Sequence, residues 1–231
     1  TYSGGVYKYD RNLTLFNLKE HNEYDAYGLS SPSVTSFAER KDGDIYIGTD
    51  GGGLNLFHLK SGLFTHVDLK TKEKANTSDL PIMSMILDRR QRLWIGTFQN
   101  GLFIVDVNTG KYKQLCAADG VNNINQNDIF CFKEDNLGRI WIGTNGKGID
   151  VFDPVTSTFT KMEPGTGSNK LPVNGFIRVI EQDHNKNMWI GTYGTGLAVL
   201  NPTTHKYTVF NYANTGLPID RVFALLEDHY G

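Results

Sequence analysis

The chain has 231 residues, 39% of them hydrophobic, which is enough to bury a sizeable core. A formal net charge of -2 with 21% charged residues describes an ordinary soluble surface and argues against nucleic acid as a partner. No apolar run is long enough to cross a bilayer, and Cys116 and Cys131 lack a C-x-x-C pair or neighbouring histidines, so both are expected as reduced structural thiols.

The first stretch, Thr1-Tyr2-Ser3-Gly4-Gly5-Val6, runs in phase with Thr192-Tyr193-Gly194-Thr195-Gly196-Leu197. The chain therefore opens inside a repeat, and residues 1–18 are expected to carry the last two strands of one unit. Next comes a short alternating apolar segment, Val34–Glu39, which reads as a strand and returns as Ile82–Leu87, Ile129–Glu134, Ile177–Gln182 and Val222–Glu227. A polar turn follows it, Lys41-Asp42-Gly43-Asp44 in one copy and Asn136-Leu137-Gly138-Arg139 in another, so a hairpin is expected.

The second strand holds the strongest signal: Ile45–Thr49, Leu93–Thr97, Ile140–Thr144 and Met188–Thr192 share an aromatic-Ile-Gly-Thr core. The aromatic positions 46, 94, 141 and 189 recur at about 48 residues, a period within the range expected for propeller blades. Within each strand the ring and the glycine lie two residues apart, on one sheet face, where the missing side chain leaves room for a neighbouring sheet. Trp94, Trp141 and Trp189 are accordingly expected in the core rather than on a binding face. A Gly-rich turn then leads to a third strand such as Gly148–Phe152, and a turn such as Asp153-Pro154-Val155-Thr156 leads to a fourth, Phe159–Met162 or Tyr207–Phe210.

Four strands per repeat make one blade, so the expected fold class is all-β: a β-propeller of four-stranded antiparallel blades. Complete blades are expected at about 31–67, 80–115, 127–162 and 175–210, with partial blades at 1–18 and 220–231. The two partial ends cannot complete one blade between them, and propellers normally close their strand edges, so the segment is expected to be an excerpt of a larger propeller.

The pattern V/I-x-x-I/F-x-E-D-x-x-G-x-L/I-W-I-G-T-x-x-x-G-L, clearest from Ile129 to Ile149, resembles the two-component regulator propeller repeat. Tyr46 stands in place of tryptophan, Arg89-Arg90-Gln91-Arg92 lacks the turn glycine, and Gln99-Asn100 replaces part of a Gly-rich turn. The resemblance implies the periplasmic sensor region of a hybrid two-component histidine kinase of gut bacteria, in which seven-bladed propellers precede a membrane span and the kinase. It further implies an oligosaccharide ligand, neighbouring blades and downstream signalling domains as partners, a homodimeric full-length form, and carbohydrate sensing as the task. No cofactor, membrane contact or catalytic activity is expected within this segment.

The Gly-rich turns Asp50-Gly51-Gly52-Gly53, Asn145-Gly146-Lys147-Gly148 and Tyr193-Gly194-Thr195-Gly196 open into a strand rather than a helix, which argues against a phosphate loop. The six histidines are scattered without metal-ligand spacing and are expected to be solvated, and carboxylates that recur at the end of the first strand are expected to cap turns. No acid–base constellation supports a lyase or hydrolase.

Ligand contacts are sought where the repeats differ. The residue after each Gly-Thr is Tyr2, Asp50, Phe98, Asn145 and Tyr193, and these with Gln99 either bind a pyranose by ring stacking and hydrogen bonds or pack loops between blades. At the upper end of the first strand stand Asp128, Arg178, Asp220 and Arg221, where the two arginines either clamp an acidic sugar or pair with the two aspartates. A protein-interaction or dimerisation scaffold with no small ligand is the alternative function.

Overall fold

The computed structural model describes residues 6–8, 17–71, 79–120, 122–166 and 170–229; the Tyr2 site expectation lies outside them. The described chain is almost entirely β. Strands β1 (Val6–Lys8) and β2 (Asn17–Lys19) pair antiparallel. Sheet one contains β3 (Val34–Glu39), β4 (Ile45–Thr49), β5 (Gly53–Phe57) and β6 (Phe64–Val67) in chain order. Sheet two repeats it with β7 (Ile82–Leu87), β8 (Arg92–Thr97), β9 (Leu102–Asp106) and β10 (Tyr112–Leu115). Sheet three has β11 (Ile129–Glu134), β12 (Ile140–Thr144), β13 (Ile149–Asp153) and β14 (Thr158–Met162). Sheet four has β15 (Ile177–Gln182), β16 (Met188–Thr192), β17 (Leu197–Leu200) and β18 (Tyr207–Phe210), followed by one short helix, α1 (Tyr212–Thr215). The chain divides into two compact units, Thr1–Gln114 and Leu115–Gly231.

Burial follows strand position. The second strand is covered on both faces, as in β12, whose five residues are all buried, whereas the fourth strand is largely exposed in β14. In the first unit Tyr46 and Leu54 of sheet one pack against Leu93, Ile95 and Phe103 of sheet two. In the second unit Trp141 and Val151 of sheet three pack against Ile180, Met188 and Ile190 of sheet four. The strand glycine permits this approach: a Cβ on Gly143 would stand 2.8 Å from Ile177 Cγ2, and one on Gly48 would stand 2.5 Å from Ile82 Cγ2.

The tryptophans do more than fill space. Trp94, Trp141 and Trp189 each donate the indole N–H to the aspartate six residues earlier, Asp88, Asp135 and Asp183, at 2.8, 2.9 and 2.8 Å. The same carboxylates accept backbone N–H groups of the intervening turn, including Arg92, Arg139 and Asn187 at 2.8, 2.9 and 2.8 Å. Sheet one exchanges the whole set. Arg40 takes the aspartate's place, with its guanidinium 5.8 Å from the Tyr46 ring centroid, and Asp44 takes that of Arg92 and Arg139.

Where the turn glycine is missing, the backbone conformation persists: Gln91 and Lys186 have φ of 60° and 70°, in the left-handed region that Gly43 and Gly138 occupy. The turns between second and third strands are closed by a buried threonine whose hydroxyl donates to the carbonyl four residues on, as in Thr144 to Gly148 at 2.8 Å and Thr192 to Gly196 at 2.9 Å. Their backbone N–H groups are also committed, since Gly146 and Gly148 both donate to Gly175 O, at 2.7 and 3.3 Å. A Cβ on Gly175 would lie 2.4 Å from Gly146 O. Gly175→Ala is therefore expected to destabilise the second unit by about 1–3 kcal/mol, because backbone rather than a flexible side chain must yield. A urea midpoint equal to that of the parent would contradict this close approach.

One expected strand is not formed. Val222–Glu227 has no ladder partner among the described residues. It is tethered at its start by the Val222 N–H donating to Thr192 O at 2.9 Å, and at its end by Glu227, which accepts the His184 backbone N–H at 3.0 Å.

Candidate functional site

All four sheets share a register irregularity in the first strand. Ladder pairing skips one residue between Val34 and Ser36, Ile82 and Ser84, Ile129 and Cys131, and Ile177 and Val179. A bulge of this kind re-aims the side chain it contains. The residues so released are Thr35, Met83, Phe130 and Arg178. A second constraint fixes the residue after each Gly-Thr: the N–H groups of Asp50, Phe98, Asn145 and Tyr193 donate to Ser33, Pro81, Asp128 and Phe176 O at 2.8, 3.0, 3.0 and 2.9 Å. Bulge and tether bring the two rows of variable side chains to the same end of each sheet.

In the second unit these rows meet. Arg178 donates from Nη2 to Asn145 Oδ1 at 3.0 Å and from Nη1 to its neighbour's carbonyl, Ile177 O, at 3.1 Å. Its guanidinium carbon lies 4.4 Å from the Phe130 ring centroid and 5.6 Å from that of Tyr193. Arg221 also approaches the Tyr193 ring, at 4.7 Å, and Phe223 meets it edge-on with centroids 6.0 Å apart. The result is a row, Phe130, Arg178, Tyr193 and Arg221, in which cations and aromatic rings alternate. Each such contact is worth about 0.5–2 kcal/mol depending on desolvation. Partial burial holds the Arg178 pKa below the ordinary guanidinium value.

Neither arginine pairs with an aspartate among the described residues. Asp220 is engaged elsewhere, accepting the Tyr212 N–H at 2.6 Å. The two guanidinium groups thus keep N–H donors available while the rings fix their orientation. Tyr193 is 40% exposed and Phe223 60% exposed, so the row is open to solvent.

Of the residues expected from the sequence, Asn145, Arg178, Tyr193 and Arg221 are brought together. Asp50, Phe98 and Gln99 belong to the first unit; Asp50 and Phe98 are exposed there and make no ring, ionic or hydrogen-bonding contact with each other. Gln99 adopts a φ of 67° in its turn. The two arginines are not at corresponding positions, as expected, but two residues apart in the repeat: Arg178 matches Phe130 at the bulge, and Arg221 matches Phe176, since Tyr193 bridges Arg221 as Asn145 bridges Phe176. Phe130, Phe176 and Phe223 were not expected, although their phase with Arg178 and Arg221 was visible in the aligned repeats.

Four of the histidines are not simply solvated. His21 and His66 bond to Leu29 O and Gly28 O at 2.6 and 2.9 Å, His58 bridges Asp44 and Thr65, and His184 contacts Glu227 at 2.5 Å. Neither Cys116 nor Cys131 is in a disulfide, and burial pushes the Cys131 thiol up to about 12.

Three stretches, residues 28–51, 123–146 and 170–194, match the family described as two component regulator propeller. Each spans an inner strand, the following hairpin and the Gly-Thr turn. Three stretches of the chain thus carry the two component regulator propeller repeat. Among curated relatives, Histidine kinase P4 of Formosa agariphila is 25% identical over 122 residues, covering 52% of this chain and 8% of its own length. Among solved structures, the extracellular domain of the hybrid two component system BT3049 from B. thetaiotaomicron is similar over 90% of this chain and 25% of its own, with 23% identity and a TM-score of 0.70. PorZ, a surface component of the type-IX secretion system of Porphyromonas gingivalis, is similar over 97% of this chain and 33% of its own, with 20% identity and a TM-score of 0.70. The chain therefore spans about a quarter to a third of these solved chains and less than a tenth of the curated relative, and the structural likeness establishes the β-propeller fold. No helix among the described residues is long and apolar enough to cross a membrane.

Proposed function

We propose that this propeller is part of the extracytoplasmic sensor of a hybrid two-component signalling protein, and that it binds an oligosaccharide or related ligand and relays the binding to a histidine kinase. The single observation that carries this is the row around Tyr193: two guanidinium groups without carboxylate partners among the described residues, held against exposed rings, beside the amide of Asn145. Rings can stack on the apolar face of a pyranose, and the guanidinium groups can hold a carboxylate or hydroxyls. The kinship with Histidine kinase P4 and with extracellular domains of hybrid two-component systems supports the signalling role and the location. Signalling further requires that the ligand bind one of two conformational states more tightly than the other.

Calorimetric titration with neutral and acidic oligosaccharides tests it. Tyr193→Ala and Arg178→Ala are each expected to weaken binding about tenfold or more, a loss of about 1.4 kcal/mol, with the fold retained. Binding that neither substitution changes would remove the row from the site. The exposure of Phe176, Tyr193 and Phe223 on one end of sheet four favours a protein partner as the second reading. Silence toward every sugar, together with loss of self-association in Phe223→Ser, would select that alternative.

A further inference from the structure

Three arginines outside the Tyr193 row are ion-paired: Arg40, Arg92 and Arg139 hold Asp42, Asp88 and Asp135 at 3.1, 2.7 and 2.7 Å. Arg178 and Arg221 hold no carboxylate among the described residues. Burial works against the charge on Arg178, and what opposes that effect is the Cys131 thiol and the Tyr193 phenol rather than a carboxylate. A cation partly withdrawn from water without a counter-ion carries a desolvation cost that a bound anion would offset.

The donors are also fixed in advance. Arg178 donates from Nη1 to Ile177 O at 3.1 Å and from Nη2 to Asn145 Oδ1 at 3.0 Å, and the Phe130 ring centroid lies 4.4 Å from its guanidinium carbon. Its Nε–H and a second N–H on each terminal nitrogen have no acceptor among the described residues. A guanidinium held in one plane suits a carboxylate, which takes N–H groups in pairs, better than scattered hydroxyls. Arg221 is exposed, and its guanidinium makes no hydrogen bond or ion pair among the described residues. The two guanidinium carbons lie 5.6 and 4.7 Å from the one Tyr193 centroid, so a disaccharide beside that ring reaches both.

Resting on the sugar-binding reading above, we infer that the ligand of this row is an acidic oligosaccharide, with a uronate carboxylate on the open N–H groups of Arg178 and the adjoining sugar unit against Arg221. The test is calorimetry of the full chain with digalacturonate and cellobiouronate, each beside its methyl ester, and with galactobiose and cellobiose as neutral sugars. An acid is expected to bind about tenfold or more tightly than its ester. That ratio should fall below about threefold in Arg178→Gln. Arg221→Gln, which removes no protein hydrogen bond, should lower it about threefold with an unchanged melting temperature. Equal binding of acid and ester overturns this inference and leaves the sugar-binding reading standing. Silence of acids, esters and neutral sugars alike overturns both. A ratio that neither substitution changes puts the charge recognition outside the row and overturns the inference as well.

Discussion

Asp135→Ala is expected to destabilise the second unit by about 3–5 kcal/mol, the range for removing one member of a buried, hydrogen-bonded charge pair. The carboxylate is fully buried. Its Oδ1 accepts the Leu137 and Arg139 N–H groups, both at 2.9 Å, and its Oδ2 accepts Arg139 Nε at 2.7 Å and Trp141 Nε1 at 2.9 Å. Alanine would orphan all four donors together, and the indole N–H is too deep for water to replace the acceptor. Asp183 provides the internal comparison: it is only partly buried and holds a neutral amide, Asn187 Nδ2, at 2.8 Å where Asp135 holds a guanidinium. Asp183→Ala is expected to cost about 1–3 kcal/mol. Urea unfolding followed by tryptophan fluorescence separates the two, and equal losses would show that the guanidinium and the depth contribute nothing.

This contrast explains why the repeat was readable and its chemistry was not. The Trp-Ile-Gly-Thr period is written in residue types whose role depends on size, a large ring and an absent side chain on one face, and size survives in the sequence as a motif. The aspartate partner lies six residues away across a hairpin, and the sequence shows it only as a recurring turn carboxylate. Capping was expected there; the indole hydrogen bond was not. Sheet one hides the relation further by exchanging Asp and Trp for Arg40 and Tyr46 together, so a change that looked like a single weakened repeat is a substitution of one packed pair for another.

The candidate site was legible to a similar degree. Variable residues after Gly-Thr could be found by phase alone, because a backbone hydrogen bond tethers that position in every sheet. The bulge could not, since it is a property of pairing between two strands and leaves no mark on either one. Without it, Phe130 reads as an ordinary inner-strand residue, and Arg178 and Arg221 seemed equivalent when they are two positions apart. The strand expected at Val222–Glu227 failed for a related reason: its apolar alternation is real, but a strand is defined by a ladder, and no partner lies beside it among the described residues.

Asp150→Asn is expected to stabilise the second unit at neutral pH by up to about 3 kcal/mol. The side chain is fully buried on β13, its Oδ2 accepts the Asn125 N–H at 2.7 Å, and its Oδ1 has no partner among the described residues. Burial raises its pKa from 3.8 to about 6, against the opposing effects of the Asn125 hydrogen bond and Lys161, with Glu163 adding to the rise. At about 1.4 kcal/mol per pKa unit, this shift sets the size of the effect. Because the folded pKa lies above the unfolded one, the native state holds the proton more tightly. Stability from this group is complete below about pH 4, falls as pH rises toward 6, and stays low above that. Sheet one already carries the neutral solution. Asn55, at the corresponding position, accepts the Ser30 N–H at 3.1 Å through Oδ1 and turns Nδ2 toward Ser30 Oγ and Ile47 O, at 2.7 and 3.5 Å. The counterpart of Ile47 opposite Asp150 is Ile142, so an introduced amide finds a carbonyl in the same direction. Urea midpoints measured near pH 4 and pH 7.5 should converge for parent and variant at the acid end and separate at the neutral end. A gain of the same size at both pH values would mean that asparagine improves packing or hydrogen bonding alone, and that Asp150 carries no proton linkage to folding.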